Sequence, residues 1–185
     1  MTPMHQEVEA AAAAEHGPDA GVPLASVATA VITVSDRRAA GTAEDTAGPA
    51  VADALRGAGA LVDAWIVPDG VAPVQAAIDR ALASGARIVI TVGGTGVSPR
   101  DLTPEATAPF LSRHLPGIPE LIRAAGAATA PAAALSRGLA GITAGEPGTV
   151  IINVPGSQRG ALESLQVTLP LLPHLLSQLE GGDHS

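Results

Sequence analysis

The segment Gly93-Gly94-Thr95-Gly96 puts three glycines within four positions, directly after an apolar, β-branched run. Such a loop lets successive backbone N–H groups turn toward one anion without help from a side-chain cation. Arg100 and Asp101 follow in the same stretch, GGTGVSPRDLTPEA, and Thr103-Pro104 opens a helix with a capping residue and a first-turn proline. A cation, a carboxylate and a helix start beside one glycine loop suit a polyphosphate; an isolated GGTG would equally be a tight turn. Asp69 lies in Pro68-Asp69-Gly70, a standard turn tripeptide that also falls at a predicted strand end. If Asp69 and Asp101 face each other beside a phosphate, a divalent cation must sit between them, and oxygen donors suit magnesium. Ser136-Arg137 either caps a turn or brings an Arg to an oxyanion.

Composition removes several other chemistries. All ten basic residues are Arg, so Schiff-base lysines and the P-loop lysine are excluded. Cys is absent, which excludes thiolate nucleophiles, iron–sulfur clusters and zinc–cysteine sites, and suits a cytoplasmic chain without disulfides. Ten cations against 18 anions give a formal charge of −8, so the general footprint of a nucleic-acid binder is missing. The five histidines, at 5, 16, 114, 174 and 184, show no metal-binding spacing. Ser35 has no nearby His to activate it, which argues against a Ser-His-Asp hydrolase, and Trp65 reads as a packing residue. No apolar run reaches the roughly 18–20 residues of a membrane span, and the acidic start MTPMHQEVEA is no signal-peptide n-region. Cytoplasmic localisation is expected.

The elements that must position these residues alternate. Residues 1–26 read as a flexible, Ala-rich leader, 27–180 as one domain and 181–185 as a tail. Predicted strands cover Val27–Val34, Leu61–Val67 and Arg87–Val92, separated by helices from Pro49 to Gly57 and from Pro73 to Ala83. Two helical stretches follow to about Ala128. Leu139–Ile142 and Thr149–Val154 would pair across an EPG turn, and a final Leu-rich helix runs to about Leu179 with kinks at Pro170 and Pro173. With an aliphatic core, this alternation predicts a single α/β domain with a doubly wound, mostly parallel sheet and helices on both faces. In such sheets ligands bind outside the carboxyl ends of the strands, where strand order reverses. Ser35-Asp36, Asp69, Gly93–Gly96 and Asn153–Ser157 all follow predicted strands and are expected on one rim.

Six motifs in one order, VITVSDRRAAGTAEDTAGPA, IVPDG, ITVGGTGVSPRDLTPEAT, LPGIPELIR, LSRGLAG and IINVPGS, closely resemble MogA/MoaB-type proteins of molybdenum-cofactor synthesis. The resemblance covers roughly Ala28 to Leu179. It implies a molybdopterin-binding fold, usually a homotrimer, and in active members transfer of AMP from MgATP to molybdopterin. By position, Asp69 and Asp101 correspond to the family's essential acidic residues and Ser136 to a further functional one. Gly93–Gly96 would hold phosphate with Arg100 or Arg137 meeting the anions, and Ser35, Asp36, Asn153, Pro155, Gly156 and Ser157 would complete the pterin and nucleotide rim. Gln158 stands where the family often has proline, and no family lysine survives here. A non-catalytic molybdopterin-binding or scaffold protein of the MoaB type is the alternative, and a generic nucleotide hydrolase is a further one.

Overall fold

The computed structural model describes residues 24–181; residues 1–23 of the expected leader and residues 182–185 lie outside the described residues. In chain order the elements are β1 (Ala28–Val34), α1 (Asp36–Ala39), α2 (Ala47–Gly57), β2 (Leu61–Val67), α3 (Val71–Ala83), β3 (Ile88–Val92) and α4 (Thr103–Thr107). They continue with β4 (Leu111–His114), α5 (Gly117–Ala127), β5 (Ala140–Thr143), β6 (Val150–Val154), α6 (Gln158–Thr168) and α7 (Leu172–Leu179). Short 3-10 turns precede β4, β5 and α7.

The six strands form one sheet in the order β2-β1-β3-β6-β5-β4. Pairings among β2, β1, β3 and β6 are parallel, with Ile32 beside Trp65 and Thr91 beside Asn153. β5 pairs antiparallel with both β6 and β4. The doubly wound, mostly parallel expectation is therefore correct, including the β5–β6 pairing across the EPG turn.

Strand alternation divides the core in two. Val31, Ile88, Ile90, Val92, Val150, Ile152 and Val154 pack against α2, α5, α6 and α7. Ala30, Ile32, Val34, Val89 and Ile151 pack against α3 and Ala106 of α4. Every residue of β3 and β6 is buried, because a parallel strand covered on both faces has no solvent side. Ile32, Ile78, Ile88, Ile90, Ile151 and Ile152 are fully enclosed, and each stabilises the fold by about 1.5–3 kcal/mol relative to exposure. Isoleucines thus supply the volume that aromatics give elsewhere. Leu24, inside the stretch expected as leader, is also buried in this core.

β4 is a correction. The sequence predicts only helical stretches between Thr103 and about Ala128, whereas between α4, which stops at Thr107, and α5 the residues Leu111–His114 run as an edge strand. Only Leu111 of these four is buried, so LSRH carries no alternation to announce a strand. Trp65 packs as expected, with the Arg80 guanidinium 4.4 Å above its ring centroid.

Candidate active site at the carboxyl ends of the parallel strands

From β1 the chain goes to β2 on one side and then crosses over β1 to β3 on the other, so the strand order reverses between β1 and β3. A crevice opens at such a point. Backbones meet closely there. A Cβ on Gly93 would lie 2.5 Å from the Val34 carbonyl oxygen, and one on Gly156 would lie 3.1 Å from the Gly93 Cα. Only glycine lets the loops after β1, β3 and β6 touch in this way.

The glycine loop turns with positive φ at Gly93 (110°) and Gly94 (64°). Each of its carbonyls is tied down. The buried Thr103 hydroxyl donates to Gly93 O at 2.9 Å, and the Thr103 N–H donates to Gly94 O at 3.1 Å. The Arg137 N–H donates to Thr95 O at 2.8 Å, and Arg137 Nε donates to Gly96 O at 2.7 Å. The N–H groups of Gly94, Thr95 and Gly96 donate to no acceptor among the described residues. With carbonyls held back and amides free, the loop is a nest for an anion. The helix start after it contributes through Thr103; α4 itself has only five residues.

Beside the nest, Asp36 and Asp69 brace each other. The Asp36 N–H donates to Asp69 Oδ2 at 2.7 Å, and the Asp69 N–H donates to Asp36 Oδ1 at 3.0 Å. Arg100 crosses to the same pair, donating to Asp36 Oδ2 through Nε at 3.1 Å and Nη2 at 2.8 Å, and to Asp69 O at 2.9 Å. Arg100, expected to meet a phosphate, is thus paired with Asp36. Both side chains are about half exposed, so this pair is weak and exchangeable.

Asp101 accepts from the Ser98 N–H through Oδ2 at 2.9 Å, and the same oxygen would lie 2.9 Å from a Cβ on Gly96. Its carboxylate therefore sits against the nest. Asp69 and Asp101 each keep Oδ1 without a partner among the described residues. Among the described residues no three His, Cys, Asp or Glu side chains gather closely enough to hold a metal. A protein cage is therefore not formed, but Mg²⁺ ordinarily takes one or two carboxylates and completes its octahedron with water and substrate phosphates. The free carboxylate oxygens of Asp69 and Asp101 are donors of that kind.

Other expected residues make contacts within the protein. Arg137, expected to meet an oxyanion, is engaged throughout: besides Gly96 O it donates to Asp101 O and to both Glu105 carboxylate oxygens. It clamps the nest. The Arg137 hydrogen bond holds the Glu105 carboxyl below its ordinary value, and Glu105 in turn raises the guanidinium's. Asn153, expected on the rim, is 2% exposed. It accepts from the Leu139 N–H at 3.0 Å and donates to the hydroxyls of Thr91 at 2.8 Å and Thr107 at 3.0 Å. An Asn so fully used lies beneath the rim, joining β3, α4 and β6. The Ser35 hydroxyl accepts a long 3.5 Å bond from the Arg38 N–H, and Ser157 caps α6 by accepting from the Gly160 N–H at 3.2 Å.

Arg38 is a residue the sequence did not single out. Its guanidinium donates to Gly156 O and Glu44 O at 3.3 Å each and lies 3.6 Å from Asp45. It links the loop after β1 to the loop after β6; the Arg37-Arg38 pair directly behind Ser35-Asp36 was its only signal. A cavity of about 260 Å³ opens beside Thr95 and Gly96, with Ser136, Pro155 and Ser157 at its edge.

The chain matches the family model "Probable molybdopterin binding domain" over residues 30–174. It is 43% identical over 162 residues to the molybdenum cofactor biosynthesis bifunctional protein of Synechococcus elongatus, covering 87% of this chain and 50% of that protein. It is 36% identical over 148 residues to the molybdopterin adenylyltransferase of Pyrococcus furiosus, covering 79% of this chain and 87% of the relative. The chain therefore spans about half the length of the bifunctional relative and most of the adenylyltransferase. Among solved structures, Thermus thermophilus MoaB superposes with a TM-score of 0.76 at 42% identity, covering 84% of this chain and 97% of that one. The tungsten cofactor synthesizing MoaB of Pyrococcus furiosus gives 0.78 at 34% identity, covering 84% and 98%. A switch-point crevice, a glycine loop with free amides and a family model that runs across both make this chain a member of the MogA/MoaB-type molybdopterin-binding family of molybdenum-cofactor biosynthesis.

Proposed function

We propose that the protein transfers AMP from MgATP to the terminal phosphate of molybdopterin. An oxygen of that phosphate bonds to the α-phosphorus of ATP, the bond from the α-phosphorus to the α,β-bridging oxygen breaks, and pyrophosphate leaves with the bond's electron pair. The observation that carries this reading is the Gly94–Gly96 nest, with its carbonyls tied back and the Asp101 carboxylate against it.

A phosphate monoester with a second pKa of about 6 is largely dianionic at neutral pH, so the nucleophile needs little general-base help. Its difficulty is repulsion by the triphosphate. The chain answers with positioning and charge neutralisation. Amides of Gly94, Thr95 and Gly96 meet phosphate oxygens, and Arg100 exchanges Asp36 for a phosphate at little cost because its pair is exposed. Asp69 and Asp101 would hold Mg²⁺, which supplies neutralising charge to the phosphates when bound. Ser136, on the cavity edge, orients the molybdopterin side.

The test is mass spectrometry of products from molybdopterin, ATP and magnesium, with Asp101→Asn as comparison. Asn still accepts the Ser98 N–H, so the variant folds; it should lose metal-dependent turnover. Turnover retained at saturating magnesium overturns the assignment of Asp101, and tight molybdopterin binding without adduct leaves a non-catalytic binding protein. A homotrimer belongs to the same proposal. Leu121 and Leu171, in the LPGIPELI and LPLLPHLL stretches, stay 40% and 41% exposed and support a subunit contact there. Sedimentation as a monomer at micromolar concentration would refute it.

A further inference from the structure

The cavity beside the nest holds two charged side chains, Arg159 and Glu163 of α6. Arg159 is largely in water, its side chain 66% exposed, while that of Glu163 is 25% exposed. Around them the walls are small: Gly126, Ala130, Ala133 and Gly160 leave a smooth, mostly apolar slot. Helix α5 approaches so closely that a Cβ on Gly126 would lie 2.8 Å from the Ala133 Cβ. A slot without aromatic rings grips a flat heterocycle weakly through its faces, so recognition falls to the polar group at the edge.

Glu163 retains acceptor capacity. Arg159 Nε donates to its Oε1 at 2.8 Å. The Thr129 hydroxyl lies 3.2 and 3.3 Å from the two carboxylate oxygens but also 3.2 Å from Gly126 O, and it has one proton for all three. An ionised carboxylate accepts only. A ring edge opposite it must therefore present donors side by side. The 2-amino-4-oxo ring of a pterin does so, with its N3–H and 2-amino group spaced like one fork of a guanidinium. Adenine alternates donor and acceptor along both hydrogen-bonding edges, so its N1 or N7 lone pair would face the carboxylate.

The spacing agrees. Glu163 follows Ser157, the α6 cap at the cavity's edge, by six residues, about 9 Å along a helix axis. A heterocycle whose side chain ends in a phosphate at the nest reaches back toward Glu163. On the adenylyl-transfer reading above, we infer that Glu163 is the specificity-determining residue of the pterin compartment, accepting from the N3–H and 2-amino group and excluding adenine.

Binding of 6-hydroxymethylpterin, followed by its fluorescence, tests this in the full chain, alongside lumazine, which carries oxygen in place of the 2-amino group, and ATP. In Glu163→Gln, of the same shape, pterin affinity should fall about ten- to a hundredfold and the preference over lumazine should vanish. ATP affinity and thermal midpoint should stay unchanged. Pterin binding that survives the substitution, displacement of pterin by ATP, or no pterin binding to the unaltered chain overturns the inference. Absent AMP transfer with Glu163-dependent pterin binding intact overturns the proposed reaction alone. Normal AMP transfer with an unchanged molybdopterin KM in Glu163→Gln overturns this inference alone.

Discussion

Asp36 and Asp69 hold each other through a reciprocal pair of hydrogen bonds, each main-chain N–H donating to the other's carboxylate at 2.7 and 3.0 Å. They stand 33 positions apart in the chain, and the parallel register of β1 and β2 brings Val34 opposite Val67 so that the two loops begin side by side. The Asp69 carboxylate thus takes its orientation from the backbone of the neighbouring loop.

Asp36→Ala should release the Asp69 N–H and leave Arg100 with Asp69 O but no carboxylate partner. Because the site is partly exposed, the stability loss should be modest, about 1 kcal/mol in urea unfolding. Turnover should fall further than this implies, since Asp69 loses its brace. A variant with wild-type turnover would make the brace irrelevant to the chemistry.

Thr103→Val removes the hydroxyl that holds Gly93 O while keeping the side-chain shape. Thr103 is completely buried, so an unsatisfied carbonyl costs about 1–3 kcal/mol. The nest should loosen with it. Denaturant midpoints and the ATP KM should shift together, the first down and the second up; an unchanged KM would separate the nest from nucleotide binding.

The Glu105–Arg137 pair predicts an acid-side dependence. Glu105's folded carboxyl titrates below its ordinary 4.5, so its contribution is fully present above that value and is lost as pH falls through the folded one. Glu105→Gln should flatten this part of the stability curve on the acid side of its ordinary 4.5 while leaving the slope at neutral pH unchanged. Parallel slopes for variant and wild type in the acid range would contradict the pairing.

Asn153→Ala should destabilise the whole domain by about 2–4 kcal/mol, since it strands the partly buried Leu139 N–H and removes the donors to the buried Thr91 and Thr107 hydroxyls. The fraction that stays folded should keep its ligand affinity. Selective loss of binding at full stability would instead return Asn153 to the rim.

Much of this was legible in the linear pattern. Buried runs such as IVITV and VIINV announced central parallel strands, and the glycines after one of them announced a tight loop, because apolar runs and glycine spacing are local properties. β4 was not legible: LSRH becomes a strand only because β5 offers it an open edge. The exchange of roles among the arginines was hidden for a related reason. The sequence by itself determined that any side-chain cation beside the glycine loop must be Arg, since it holds no Lys. Only the tertiary structure decided how firmly each Arg is held. Arg137 is locked to Gly96, Asp101 and Glu105, while Arg100 leans on one exposed carboxylate, and a guanidinium's availability depends on acceptors brought to it from distant parts of the chain.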